Sequence, residues 1–283
     1  LLSRIIDKTK FIDVNAVDFS EVNLAFLLVV SVYALYGLVD DLVDVGRFLK
    51  IILPISFGFP LISVLHPETL WIPYMGEINL HEDFLFGANL GDLFRVVVIP
   101  IYVMVVANLV NMHSGYNGLQ SGLSVILLSV LLFKSWFEGE LIHVLPAAAF
   151  LGSMVAFWFF NFYPSKVFEG NIGSLLFGSV IGSIIVIQQY WWFGFFILIP
   201  HTINFILWII WLIMIRLDSS NYLESNGSHK KFGEISEAGY IRVPNRLTLK
   251  WIPNYYFKLN EKNSVIILYF FTFIFSILGL ILY

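Results

Sequence analysis

Long apolar runs separated by short polar breaks fill the chain from about Val22 to its C-terminus. They lie near 22–39, 49–65, 93–111, 121–137, 141–161, 173–190, 192–216 and 264–283. Each is close to the ~20 residues that cross a hydrocarbon core as a helix. The runs are continuous rather than alternating, so they predict helices: a bilayer offers no water to satisfy an open strand edge. The pattern therefore predicts an all-α polytopic membrane protein with about eight transmembrane helices. Residues 1–283 read as a single integral membrane domain, with 1–21 as an extracytoplasmic tail and 217–263 as a cytoplasmic loop. Lys134 and Glu138 crowd the end of the fourth run, which makes it the weakest span signal of the eight.

Composition narrows this further. Hydrophobic residues make up 58% of the chain and charged residues 13%, with a mean hydropathy of +0.82. So little charge could not cover a water-facing surface, for which about a quarter is usual. The net charge of −4 gives no basic surface for a nucleic acid, and the absence of cysteine excludes disulfides and thiolate metal sites. The opening "LLSRIIDKTKFIDVNAVDFSE" lacks the apolar core of a signal peptide. A chain that starts with Leu rather than Met is also expected to be a fragment.

Parity sorts the breaks onto two sides. One side receives Arg47, Lys50, Lys166, Arg216, Lys230, Lys231, Arg242, Arg246, Lys250, Lys258 and Lys262; the other holds Arg4, Lys8, Lys10, Arg95 and Lys134. The excess of bases makes the first side cytoplasmic. That side also collects "DDLVDVGRFLK", "NMHSGYNGLQSG", "NFYPSKVFEGNIGS" and "SHKKFG". One face is thus expected to hold the candidate chemistry.

Asp40, Asp41 and Asp44 close the first run. Carboxylates at a helix C-terminus oppose the macrodipole, so something must offset them: a metal ion, a basic partner or a shared proton. Asn108 and Asn111 lie at i, i+3 on one face, where lipid offers an amide no partner. Asn117-Gly118 is a turn signal, and His113 reads equally as a local hydrogen-bonder or a ligand. Around Gly170 to Gly173 a glycine-rich helix start could meet a phosphate, or could serve helix packing alone. His229, Lys230 and Lys231 fit attraction to lipid headgroups as well as recognition of a sugar diphosphate.

In order and spacing, "DDLVD…K", "N-x-x-N-x-x-x-G-x-N-G-L-x-x-G", "N-x-Y-P-S-K-V-F-x-G" and a late basic loop resemble the polyprenyl-phosphate N-acetylhexosamine-1-phosphate transferases (glycosyltransferase family 4). The nearest likeness is to the eukaryotic and archaeal dolichyl-phosphate GlcNAc-1-phosphate transferases. The resemblance implies transfer of GlcNAc-1-phosphate from UDP-GlcNAc to a polyprenyl phosphate, with Mg²⁺ (Mn²⁺ as an alternative) on the diphosphate. It implies Asp40, Asp41 and Lys50 as catalytic, Asn111, Asn171 and Asp41 at the metal, and Asp44 and Asn108 as polar contacts to substrate. Asn117 and Phe168 would hold the uracil, Lys166 would bind substrate, and His229 and Lys230 would face the sugar and diphosphate. Partners would be UDP-GlcNAc, polyprenyl or dolichyl phosphate and membrane lipid. The likeness allows a homodimer, and places the protein in an archaeal cell membrane or an ER membrane.

Two departures stand out. The family commonly has Asp where this chain has Asn171, and "R-H-R" becomes "S-H-K" at 228–230. The eight runs match spans three to ten of a ten-span family, so two N-terminal spans are expected to precede Leu1. Other functions weighed are a bacterial-type sugar-1-phosphate transferase for a surface polymer, a non-catalytic paralogue and an ion-coupled transporter. Transporters usually carry their charges at mid-membrane between repeated halves; here the acids sit at one interface.

Overall fold

The computed structural model describes residues 21–43, 45, 46, 48–73, 75–80, 83–85, 88–140, 145–217 and 233–283. Among the described residues six helices are long and apolar enough to span a membrane: α1 (Glu21–Val43), α4 (Leu90–Met112), α5 (Leu119–Glu138), α7 (Gly170–Ile187), α9 (Ile199–Leu217) and α11 (Glu261–Leu282). The second and fifth runs are shorter apolar helices, Leu49–Ile62 and Leu145–Asn161 (α6). The chain is an all-α polytopic membrane protein, as its hydropathy predicts.

Proline explains the interruptions. The second run divides into α2 (Leu49–Phe57) and α3 (Phe59–Ile62) at Gly58, with Pro54 and Pro60 on either side. The seventh divides into α8 (Trp191–Ile197) and α9, where Pro200 withholds a backbone N–H. Small strands appear that hydropathy does not announce: β1 (Thr69–Ile72) with β2 (Gly76–Asn79), β3 (Asp83–Leu85) with β4 (Ala88–Asn89), and β5 (Glu234–Ile235) with β6 (Ile241–Arg242). Neither β1 nor β2 has a buried face. A strand without a buried face leaves no hydrophobic alternation in the sequence.

Two compact units make up the chain. One draws its described residues from Leu1–Asn108, Leu131–Gly152 and Gly170–Trp191; the other comprises Leu109–Val130, Ser153–Glu169 and Trp192–Tyr283. In the first, α1 packs along α7. Ala25, Val29, Tyr33 and Tyr36 form its buried stripe at helical spacing, while Leu24, Leu28, Leu35 and Leu38 are exposed, as lipid-facing residues would be. Lipid is as apolar as leucine, so close backbone approach rather than hydrophobicity holds such helices together. Gly37 permits it: a Cβ there would lie 2.6 Å from the Ile172 Cα. Tyr33 donates its hydroxyl to the Pro54 carbonyl at 2.9 Å, tying α2 to the pair.

The charges that crowd the end of α5 satisfy one another. Lys134 donates to Glu138 at 2.6 Å and lies over the Tyr190 ring, and Tyr190 donates its hydroxyl to the same carboxylate at 2.5 Å.

In the second unit the core gathers Leu119, Leu123, Leu249, Val265 and Leu268. The region read as a cytoplasmic loop is ordered into elements over its described part. After the β5–β6 hairpin, a 3₁₀ turn at Leu249–Trp251 leads into α10 (Ile252–Tyr256). Buried Asn204 of α9 anchors this strap, accepting from the Leu249 N–H at 3.0 Å and donating to the Met112 carbonyl at 3.1 Å.

Candidate active site

The candidate residues divide between the two units. In the first, the C-terminal turn of α1 presents Asp40 and Asp41. Asp40 Oδ1 pairs with Lys50 Nζ at 2.9 Å and accepts from the Val45 N–H at 2.9 Å. The Asp40 side chain is 1% exposed and that of Lys50 29%. Asp40 Oδ2 is buried, with no hydrogen-bond partner among the described residues.

Asp41 is exposed and reaches another helix end. Its Oδ1 accepts from the Asn171 N–H at 2.8 Å and its Oδ2 from the Ile172 N–H at 3.0 Å. These are orphan donors of the first turn of α7, and the macrodipole there favours a carboxylate. The charge that is ill placed on its own helix is therefore well placed on α7. Gly170 makes the approach possible: its φ is +60°, and a Cβ would meet Asp41 Oδ2 at 2.5 Å. The glycine-rich start of α7 thus receives a carboxylate of the protein itself.

Asn108 donates to the Met104 carbonyl at 3.0 Å and reaches the Lys50 carbonyl at 3.5 Å. The structure so brings together Asp40, Asp41, Lys50, Asn108 and Asn171 within one unit.

In the second unit Asn111 lies on the last turn of α4, and Asn117 sits in the loop before α5. Gly115 and Gly118 flank Asn117 with φ of +110° and +74°, a conformation that excludes most side chains. Lys166 is exposed, and Phe168 is 83% exposed, an open ring face at the end of the 162–169 loop. Asn161 braces that loop by donating to the Val167 carbonyl at 2.8 Å while accepting from Ser121 Oγ at 2.7 Å. Asp44, His229 and Lys230 lie outside the described residues.

Sequence reasoning passed over Glu169. It is half-buried, its Oε2 is shielded with no partner among the described residues, and burial pushes its carboxyl up to about 8. Its place between Phe168 and Gly170 in the family motif was the available signal. His113, left open in the sequence, packs edge-to-face on His201 with ring centroids 4.7 Å apart, and burial holds it well below the usual imidazole range.

Lys250 was also missed as a contributor. It donates to the Ser114 carbonyl at 2.8 Å, and burial pushes its ammonium down to about 8. A lysine whose folded value falls below its unfolded one, near 10.4, disfavours folding most while it stays charged. Stability is therefore expected to rise between about pH 8 and pH 10.5 and to be flat with respect to this group below pH 8. Thermal unfolding of wild type against Lys250→Met across that range checks this: the extra rise is present in wild type only.

A hard cation such as Mg²⁺ takes oxygen ligands and keeps several waters or phosphate oxygens of its own. The first unit offers donors of that kind in Asp40 Oδ2, the Asp41 carboxylate and the Asn171 amide. Among the described residues no group of three or more His, Cys, Asp or Glu side chains gathers for a metal. An ion here would need substrate phosphate and water to complete its shell, and in donor type alone these oxygens fit Mg²⁺.

Residues 23–189 match the model of glycosyl transferase family 4. The chain is 30% identical over 270 residues to a protein of Sulfolobus acidocaldarius provisionally named UDP-N-acetylglucosamine–dolichyl-phosphate N-acetylglucosaminephosphotransferase, covering 91% of this chain and 73% of that one. A Saccharolobus solfataricus protein of the same provisional name is also 30% identical over 270 residues, with 91% and 74% covered. Similarity to the phospho-N-acetylmuramoyl-pentapeptide-transferase of Limosilactobacillus fermentum is 27% over 170 residues, with 59% of this chain and 51% of the relative covered. With these matches lying over the helices that carry the Asp40–Asp41 pair and the Asn117 loop, the chain belongs to glycosyl transferase family 4.

Proposed function

We propose that the protein transfers GlcNAc-1-phosphate from UDP-GlcNAc to a polyprenyl phosphate of the dolichyl type, the first step of N-glycan assembly. An oxygen of the lipid phosphate attacks the phosphorus that bears the sugar. The bond from that phosphorus to the bridging oxygen breaks, UMP leaves, and lipid-diphosphate-GlcNAc forms. The observation that carries this reading is the 30% identity, over 91% of the chain, to archaeal relatives bearing that name.

Phosphoryl transfer leaves the protein little covalent chemistry, so positioning and charge neutralisation dominate. Asp41, held on the α7 N-terminus, keeps a fixed negative group on the candidate cytoplasmic face. Lys50 holds Asp40 in one geometry. The Asn117 loop and the open Phe168 ring supply an amide and a stacking face for a uracil. Bound at the Asp40, Asp41 and Asn171 oxygens, Mg²⁺ would neutralise diphosphate charge; Asn171, being neutral, leaves the anionic share to the aspartates.

A second reading, a bacterial-type transferase for a surface polymer, draws on the similarity to phospho-N-acetylmuramoyl-pentapeptide-transferases over 59% of the chain. Substrate competition separates the two. Membranes from cells expressing the full gene, given radiolabelled UDP-GlcNAc, dolichyl phosphate and Mg²⁺, are expected to form a lipid-linked GlcNAc diphosphate and release UMP. UDP-N-acetylmuramoyl-pentapeptide with undecaprenyl phosphate is expected to give no product. Product only from the second pair overturns the proposal in favour of the alternative, and none from either overturns both.

A further inference from the structure

The loop of Ser114 to Gly118 has two glycines in the left-handed region, so its backbone is intrinsically free to relax. It is held instead by one stretch of chain far away in sequence. Lys250 donates to the Ser114 carbonyl at 2.8 Å, and Tyr116 donates its hydroxyl to Asn254 Oδ1 at 3.1 Å. The Asn117 N–H donates to Glu261 Oε1 at 2.5 Å. Tyr269 donates its hydroxyl to the Gly118 carbonyl, and itself accepts from Trp158 Nε1 at 2.9 Å. Every residue of the loop except Gly115 is thus gripped by a polar group between residues 250 and 269, and Gly115 faces the Lys250 ammonium closely.

Glu261 has the most direct hold. A hydrogen bond to the Asn117 N–H fixes the peptide plane that leads into Asn117, and so the backbone from which its side chain projects. The carboxylate is itself well anchored. It stands in the first turn of α11, where the macrodipole favours an acid, and the Asn260 side chain caps that turn by accepting from the Asn263 N–H at 2.9 Å. No side chain of the loop needs to touch Glu261 for this, so the contact sets geometry rather than chemistry.

We propose that Glu261 is a positioning residue for nucleotide recognition, aiming Asn117 at the uracil of the donor substrate through the Asn117 backbone. This rests on the nucleotide-sugar transferase reading above. Since the bound nucleobase lies remote from the reacting phosphorus, the contact acts on ground state and transition state alike. Its loss then raises KM and leaves kcat largely unchanged.

Steady-state transfer from UDP-GlcNAc, with UMP binding measured in parallel, tests the assignment on full-length protein in native membranes or nanodiscs. Glu261→Ala is expected to raise KM for UDP-GlcNAc and weaken UMP binding about tenfold, the scale of losing a charge-assisted hydrogen bond. Glu261→Gln keeps a carbonyl acceptor for the same N–H and is expected to recover most of that loss. The inference is overturned by an unchanged KM in Glu261→Ala, by no recovery in Glu261→Gln, or by a fall in kcat and thermal stability with KM unmoved. Wild-type protein that neither transfers GlcNAc-phosphate nor binds UMP brings down the transferase reading and this inference together. An active wild type with an insensitive Glu261→Ala variant brings down the inference alone.

Discussion

Asp41→Ala is expected to cut formation of lipid-linked GlcNAc roughly 100-fold or more, the scale on which a misplaced active-site group is felt. Two losses coincide in this variant. The first turn of α7 gives up both side-chain acceptors for the Asn171 and Ile172 N–H groups. Removing a helix cap costs about 1 kcal/mol, so the protein should still fold. The site also loses a fixed negative charge that neutral Asn171 cannot replace. Asp41→Asn separates the two effects, since it keeps one carbonyl acceptor and drops the charge. Activity in Asp41→Asn as low as in Asp41→Ala, with thermal stability close to wild type, marks the charge as the decisive part. More than a tenth of wild-type activity in Asp41→Ala would falsify the assignment of Asp41 to the reaction.

The second large effect concerns stability. Lys50→Met leaves the Asp40 carboxylate buried without its ionic partner, and removing one member of a buried pair typically costs about 3–5 kcal/mol. The Val45 N–H remains, and the Lys50 end of the pair is partly solvated. The low end of the range, about 3 kcal/mol, is therefore expected. Asp40→Asn should cost much less, because the Lys50 side chain is 29% exposed and can turn its ammonium to water. The double variant Asp40→Asn/Lys50→Met should be more stable than Lys50→Met alone, since it contains no buried charge. Unfolding of the three variants in the same detergent gives the ranking. Equal destabilisation by Lys50→Met and Asp40→Asn would show that solvent reaches Asp40 and that the pair is a surface one.

These variants also discriminate among offsets for the acids at the end of α1. A basic partner answers for Asp40, and the start of another helix answers for Asp41. Both partners are groups of the protein itself, so both acids are held in place by the fold alone. Preorganisation of that kind is what phosphoryl transfer demands of its protein. The Mg²⁺ reading then concerns the remaining lone pairs, notably Asp40 Oδ2.

The membrane helices were legible because hydropathy is a property of composition within a window, insensitive to what each helix touches. The eight apolar runs all fall on helices, six of full spanning length. What the runs could not reveal were the breaks in the second and seventh and the β-hairpins between α3 and α4. A proline inside an apolar stretch reads either as a tolerated kink or as a stop. Strands such as β1 and β2, half-buried on one face at most, leave little periodicity to read. The candidate motifs could be read for a different reason: "NGL-x-x-G" and "YPSKVF" are local in sequence, and each stays local in space, the first at the start of α5 and the second in the 162–169 loop.

By itself, then, the sequence determined that this is a polytopic helical membrane protein of glycosyl transferase family 4, and where along the chain its polar motifs stand. Both follow from short-range order, the mean apolarity of about twenty neighbours and the spacing of residues within single loops. Tertiary structure alone decided the partners: Lys50 for Asp40, the α7 N-terminus for Asp41, and Glu261 for the backbone of Asn117. The latter two contacts join residues more than a hundred positions apart. A charge at a helix end announces that it needs an offset, but which distant donor supplies it depends on how helices pack, and packing is written in no single window of the chain.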